Sequence, residues 1–293
     1  MNAFLRCGVI LIMMAGLAGC GLSSHPDNPP NSQSSAPVLG DLTYQDVLEK
    51  GGTVHNLGVT KKGIVWVGTN SGLYQSIDGR NWGLVSPQLE NRDIVGWFVD
   101  PQDPKKIIAA GYTGVMRSVD GGENWAEIGK GLPVPTAIGS FTGYAAGKET
   151  YLFAFVSGEG IYRSTDVGEN WQLWSPIDQE VYAMDYHPEE NRLYAAAQFS
   201  LLYSENGEWL AGDLPQAEII YSLAVNRGTG VLAVVTEQGV YEKSDGEWKL
   251  LGAAAPEKLI VVSPGEGETR WVGLGESALI YALKDDIWTL WNG

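Results

Sequence analysis

Ser76-Ile-Asp78-Gly79-Arg80-Asn81-Trp82 is written again, with small changes, as Ser118-Val-Asp120-Gly121-Gly122-Glu-Asn-Trp125 and as Ser164-Thr-Asp166-Val-Gly168-Glu-Asn-Trp171. A worn copy, Ser244-Asp245-Gly246-Glu-Trp248, follows later. Counting weaker copies as well, the phrase-ending tryptophans are Trp82, Trp125, Trp171, Trp209, Trp248 and Trp288, separated by 43, 46, 38, 39 and 40 residues. A recurrence near 40 residues, with several short strands per unit, predicts the blades of a β-propeller.

Four strand-like segments fill each unit. In the first they run 54–59, 64–68, 73–76 and 82–85, and in the second 94–99, 107–111, 115–118 and 125–128, with Gly, Asn, Asp and Lys at the joints. Later units start at Ala137, Val181, Ile220 and Leu259, which makes six. The expectation is an all-β chain with a single propeller of six four-stranded blades over residues 41–293. Seven blades stay open, because Thr43 to Lys50 fits a short helix or an extra strand. No long 3.6-residue periodicity follows residue 50, which argues against α/β classes.

Inside the phrase each residue type has a physical task. The Asp carboxylate accepts backbone N–H groups in a turn, Gly permits a positive φ, and Trp wedges between neighbouring blades. The phrase resembles the Asp-box, or BNR repeat, of sialidases, sortilin-type Vps10 domains, xyloglucan-cleaving glycosidases and photosystem II assembly factors. The resemblance covers roughly residues 53 to 293. Units four and six depart from it: Ser204-Glu-Asn-Gly-Glu-Trp209 lacks the Asp, and Asp285-Asp286-Ile-Trp288 lacks Ser and Gly. It implies boxes on the blade periphery, away from the ligand face. Ser76, Asp78, Ser118, Asp120, Gly122, Ser164, Asp166, Gly168, Ser244 and Asp245, with Trp82, Trp125, Trp171 and Trp248, are therefore expected to be structural. Asp100-Pro-Gln-Asp-Pro104 and His187-Pro-Glu-Glu-Asn191 are similar to Asp-Pro turns of sortilin-like and xyloglucanase-like propellers, so Asp100 and His187 are read as turn formers.

The first twenty residues carry Arg6, an apolar stretch from Val9 to Ala18, and Leu17-Ala18-Gly19-Cys20. That stretch is short for a membrane span and is built like a secretory signal. Leu-Ala-Gly-Cys resembles the lipobox of bacterial lipoproteins, which implies a signal peptide over 1–19 and a lipidated Cys20. Cleavage would leave Cys20 as the single cysteine, so no intramolecular disulfide is expected. Residues 21–40, rich in Pro and Ser, read as a flexible tether reaching about 25 Å. Gly21 after the Cys resembles a signal permitting export to the outer membrane. The expected location is extracytoplasmic, anchored to a bacterial membrane by lipid.

The formal net charge of −16 disfavours phosphate backbones, so nucleic acid is not an expected partner. Three histidines without a suitable cluster give no zinc site, and no cofactor is expected. Aligning the units puts His55, Tyr182 and Tyr221 at one inner-strand position near the channel mouth. Tyr112, Glu159, Glu237 and Glu276 lie on loops that would flank them, and aromatic rings beside carboxylates suit a peptide or a sugar. Sialidase chemistry is disfavoured, since no Arg-Ile-Pro motif occurs. Xyloglucan cleavage needs two carboxylates flanking a cleft, usually between two propellers. No catalytic residue is assigned. Eight tryptophans read as core, while Trp174 and Trp291 are expected to offer exposed contacts. The functional expectation is a non-catalytic scaffold binding a protein or peptide. The alternative is a glycan-binding propeller or a divergent glycoside hydrolase.

Overall fold

The computed structural model describes residues 40–291 apart from 52, 61–62, 198, 216–218 and 253–254. Cys20, the signal and the tether lie outside the described residues. The chain forms six four-stranded antiparallel sheets, each from consecutive strands. Blade 1 holds β1 Val54–Val59, β2 Val65–Thr69, β3 Gly72–Ser76 and β4 Trp82–Leu84, and blade 2 holds β5 Gly96–Val99, β6 Ile107–Gly111, β7 Gly114–Ser118 and β8 Ala126–Ile128. Blade 3 comprises β9 Ile138–Ala146, β10 Glu149–Val156, β11 Gly160–Ser164 and β12 Gln172–Ser175. Blade 4 follows with β13 Val181–His187, β14 Arg192–Ala197, β15 Ser200–Glu205 and β16 Glu208–Ala211. Blade 5 is β17 Ile220–Asn226, β18 Val231–Thr236, β19 Gly239–Ser244 and β20 Glu247–Leu250. Blade 6 is β21 Leu259–Pro264, β22 Trp271–Gly275, β23 Ile280–Lys284 and β24 Ile287–Leu290.

Hydrophobic packing closes the six sheets into a ring. Six buried clusters occur, one at each junction of successive blades, and the one containing Leu57, Val67, Val261 and Leu274 joins blade 6 to blade 1. The phrase tryptophans face backwards in this ring. Trp125 of blade 2 packs in the cluster with blade 1, Trp171 of blade 3 in that with blade 2, and Trp288 of blade 6 in that with blade 5. Second strands such as β2 and β6 are buried along their whole length, and their small residues let blades approach closely. A Cβ on Gly68 would stand 2.5 Å from the Ile94 carbonyl of blade 2.

Residues 41–51 do not build a seventh blade. Tyr44–Gly51 form α1, and Leu42 adds one antiparallel bridge to Trp82 at the edge of blade 1. Thr43 and Asp46 cap the helix reciprocally: the Asp46 carboxylate accepts the Thr43 N–H at 2.7 Å, and Thr43 Oγ1 accepts the Asp46 N–H at 3.2 Å. Tyr44 and Val47 drop into the blade 6–blade 1 cluster.

In an antiparallel meander the loops alternate between two ends. The ring therefore has an upper face, with β2–β3-type loops, inter-blade links and the starts of innermost strands. Its lower face carries first hairpins and third turns. The repeated phrase sits on the lower face. Asp78 Oδ1 accepts the N–H groups of Arg80 and Asn81 at 2.9 and 2.8 Å, and Ser76 Oγ accepts that of Gly79 at 2.9 Å. Asp120 and Asp166 each accept the N–H of the Asn four residues on at 2.9 Å, and a Ser hydroxyl at 2.8 Å. Trp125 and Trp171 donate their indole N–H to Gly122 O and Gly168 O at 2.9 and 3.0 Å.

Blades 4 to 6 fasten the same turn differently. Asn206-Gly207, Asp245-Gly246 and Asp285-Asp286 all have positive φ at both residues, the geometry of two-residue type I′ hairpins. Asp245 is a correction to the sequence reading: its exposed carboxylate accepts no hydrogen bond among the described residues, and backbone conformation makes the turn. Ser244 is exposed in the same turn, and Trp248 reaches instead to Asp213, donating to its carboxylate at 3.1 Å.

These turns imply an acid response. Hydrogen bonds from Asn124, backbone then side chain, hold the Asp120 carboxyl down to about 2. The backbone bond from Asn81 lowers Asp78 further below the usual range; at Asp166 burial is the largest influence and raises the pKa, but the bonds from Asn170 and Ser164 together outweigh it and lower it. A depressed carboxylate stabilises the fold above its unfolded value and loses that contribution as pH falls through the folded one. Melting temperature is therefore expected to fall as pH drops from about 4 to about 2. A chain carrying Asp78→Asn, Asp120→Asn and Asp166→Asn should show a shallower slope, and an unchanged slope would place the acid sensitivity elsewhere.

Candidate functional site

The aligned position of His55, Tyr182 and Tyr221 has a structural signature. In blades 1, 4 and 5 the first strand slips register at that residue, between Val54 and Asn56, Val181 and Ala183, and Ile220 and Ser222. The same irregularity occurs at Ile260 of blade 6, and at Gly139 of blade 3. A β-bulge leaves one residue unpaired and re-aims its side chain. Repeated in five of the six blades, it sets one residue of each at the upper mouth.

The occupants are used differently. Tyr182 donates its hydroxyl to Ala197 O of its own blade at 2.9 Å and to Ile220 O of blade 5, so it ties two blades; burial pushes its pKa up to about 12. Tyr221 lies under the Lys258 ammonium, 4.3 Å from its ring centroid, and Lys258 also pairs with Glu276 at 2.8 Å. Glu276 first, and Tyr221 second, raise the Lys258 pKa. Two sequence candidates, Tyr221 and Glu276, thus meet through a lysine that sequence reasoning missed. His55 faces Asp93 of the link into blade 2, with Nε2 3.5 Å from Oδ2. His55 Nε2 and Asp93 Oδ1 are both buried without a hydrogen-bond partner.

The carboxylates around the mouth are largely occupied. Glu237 accepts the Ile219 N–H at 3.2 Å. Glu257, absent from the sequence candidates, accepts Ser277 N–H, Ser277 Oγ and Tyr281 Oη at 2.8, 2.6 and 2.8 Å. Burial would raise its pKa, but the Ser277 bonds outweigh that and lower it. Glu159 is exposed, and its carboxylate accepts no hydrogen bond among the described residues. Beside these groups the upper face shows apolar side chains to solvent: Tyr112 is 52% exposed, Phe199 60%, and Val134 on the link into blade 3 93%.

Other sequence candidates fall elsewhere. Trp174 and Trp291 do not offer free contacts. Trp174 packs in the blade 3–blade 4 cluster, edge-on to Phe153 and Trp209, and Trp291 packs between blades 6 and 1. The outermost strands still lean on the neighbouring blade, which covers both rings. His187 is buried, with Nε2 2.7 Å from Gly230 O of blade 5, so its turn also ties two blades. Asp100 accepts the Gln102 N–H at 2.9 Å. No group of three or more His, Cys, Asp or Glu is placed to hold a metal ion among the described residues. No described helix is long and apolar enough to cross a membrane.

No protein-family model matches the sequence, and no curated protein sequence matches it. Solved structures do match. An ancestral GH74 enzyme aligns with a TM-score of 0.60 and 19% identity, covering 87% of this chain and 41% of that one. The GH74 xyloglucanase from Xanthomonas campestris aligns at 0.57 and 16%, covering 83% and 46%. A chain in the crystal structure of a Nidogen/Laminin complex aligns at 0.60 and 10%, covering 78% of this chain and 93% of that chain. The protein spans less than half the length of the two GH74 enzymes. At these identities the likeness is one of fold.

Proposed function

We propose that this chain is an extracytoplasmic propeller, anchored through a lipidated Cys20, that binds a protein or peptide on its upper face without catalysing a reaction. The observation that carries this reading is the composition of that face. Exposed Tyr112, Val134 and Phe199 stand around a mouth where Glu237, Glu257 and Glu276 already accept donors or a cation. Apolar groups displayed together on one face favour association. A glycosidase acid instead needs a carboxyl whose environment favours the proton, and Glu257 is held the other way.

The GH74 likeness favours a second reading, a glycan-binding or glycan-cleaving propeller, in which Glu159 is the carboxylate with most freedom. One experiment separates the two. A photo-crosslinking residue in place of Tyr112 in the full chain should give a discrete protein adduct on cells, and the same residue in place of lower-face Val119 should give none. Purified protein should leave xyloglucan intact. Xyloglucan cleavage that disappears in Glu159→Gln would overturn the scaffold reading.

A further inference from the structure

Blade 3 breaks the repeat at one place. Its first two strands have nine and eight residues, against four to seven in every other blade. A blade needs only enough strand to cover its neighbours. Length beyond that, in one repeat of six, marks a surface with another use. The extra rungs pair Ala145 with Thr150 and Ala146 with Glu149, and they extend the lower edge of the sheet beyond the cross-strand pair Tyr144 and Tyr151.

The projection is braced from three blades. Gln102 of blade 2 donates to Gly147 O at its tip. Tyr144 lies 5.1 Å from Tyr186 of blade 4, and the Arg227 guanidinium of blade 5 stands 5.8 Å from the Tyr144 ring. Tyr186 is also stacked on Phe153 at 5.6 Å, so its two faces are used. Tyr151 is different. It is half-buried and packed against the blade 3–blade 4 cluster, its hydroxyl is donated to Glu149, and no other ring is stacked on it among the described residues.

Arg163 stands next to it. Arg163 pairs across the sheet with Phe153, and Tyr151 is two residues along the same face of β10, within diagonal reach. Five other described arginines, Arg92, Arg117, Arg192, Arg227 and Arg270, are held in ion pairs, whereas Arg163 is exposed and has none among the described residues. Arg80, also unpaired, sits in the blade 1 turn. An unpaired guanidinium beside a partly exposed tyrosine ring is a candidate anion partner in a chain of net charge −16.

We propose that this shelf binds an acidic saccharide, with a uronic-acid ring lying on Tyr151 and its carboxylate paired with Arg163. The planar guanidinium matches a carboxylate through two parallel hydrogen bonds, and a tyrosine ring covers the apolar face of a pyranose. Glu149 and Asn191, at the edges of the shelf, can accept sugar hydroxyls. Phe153 beneath the shelf is buried and leaves no exposed phenyl ring for an apolar peptide side chain to cover. The site lies on the face opposite Tyr112 and does not depend on the scaffold reading.

Isothermal titration of the full chain with galacturonic-acid oligomers tests it, with neutral xyloglucan oligosaccharides as comparison. The acidic oligomers should bind, and affinity should fall about tenfold or more in Arg163→Gln and in Tyr151→Ala, with weaker binding at higher salt. Tyr151→Phe, which keeps the ring, should retain most of the affinity. Both side chains reach the surface, so unchanged melting temperatures separate lost binding from lost folding. The proposal is overturned by no binding of acidic oligomers at millimolar concentration, by equal binding of neutral ones, or by wild-type affinity in both variants. Binding of polyglutamate with the same loss in both variants would reassign the shelf to an acidic peptide.

Discussion

Trp82→Ala is expected to destabilise the propeller by about 3–5 kcal/mol, the range for emptying a large buried aromatic site. Trp82 is fully buried, in the cluster where blade 6 meets blade 1. Its ring centroid is 5.1 Å from that of Tyr44 on α1, and its backbone exchanges hydrogen bonds with Leu42. Removing it loosens helix, edge bridge and ring closure together. Trp248 holds the same slot in blade 5 but is only half-buried and leans on Asp213. Trp248→Ala should therefore lose less, about 1–2 kcal/mol. Urea midpoints followed by circular dichroism give the comparison. Equal losses would mean that the slot, and not its place at the closure, sets the energy.

Asp185→Ala is the second large effect, about 3 kcal/mol or more. The Asp185 carboxylate accepts Thr142 Oγ1 of blade 3 at 2.8 Å, its neighbour Tyr186 N–H at 2.9 Å, Val225 N–H of blade 5 at 2.9 Å and Arg227 Nη2 at 2.6 Å. One side chain thereby straps the innermost strands of three blades. Truncation leaves a hydroxyl and backbone amides without an acceptor, and frees Arg227. Asp185→Asn keeps an oxygen for some of these donors and should lose less. Hydrogen exchange at Val225 should quicken in Asp185→Ala beyond that of its neighbours, a signature that general destabilisation does not produce. Unfolding within error of wild type would remove the strap from the account of ring stability.

Much of this architecture was legible in the chain because its cause is local. The hydrogen bonds of the box phrase join residues only two to four apart, so Asp78, Asp120 and Asp166 could be placed in turns from their own neighbours. Its spacing then counted the blades. Two further local signals were present and unread. Thr43-Tyr-Gln-Asp46 is a reciprocal helix cap, which decides between helix and strand before blade 1. Asn206-Gly207 and Asp245-Gly246 are type I′ pairs, which explain why blades 4 and 5 need no box. Trp174 and Trp291 were misplaced because strand alternation assigns a side chain to a face of its own sheet. In a propeller both faces of an outer strand have a neighbouring blade to meet.

By itself, then, the sequence determined the repeat, at least six blades, the position of the lower-face turns and, for blades 1, 4 and 5, the residue presented at the mouth. Those properties depend on contacts within one unit, and one unit is written out contiguously. Tertiary structure alone decided which mouth residues are free. Lys258 joins Tyr221 to Glu276, Tyr182 is spent on two carbonyls, and Asp185 reaches donors about forty residues away on either side. Such partners sit on adjacent blades, one repeat apart in the chain, and a side chain's spare hydrogen bonds are known only once the ring has closed.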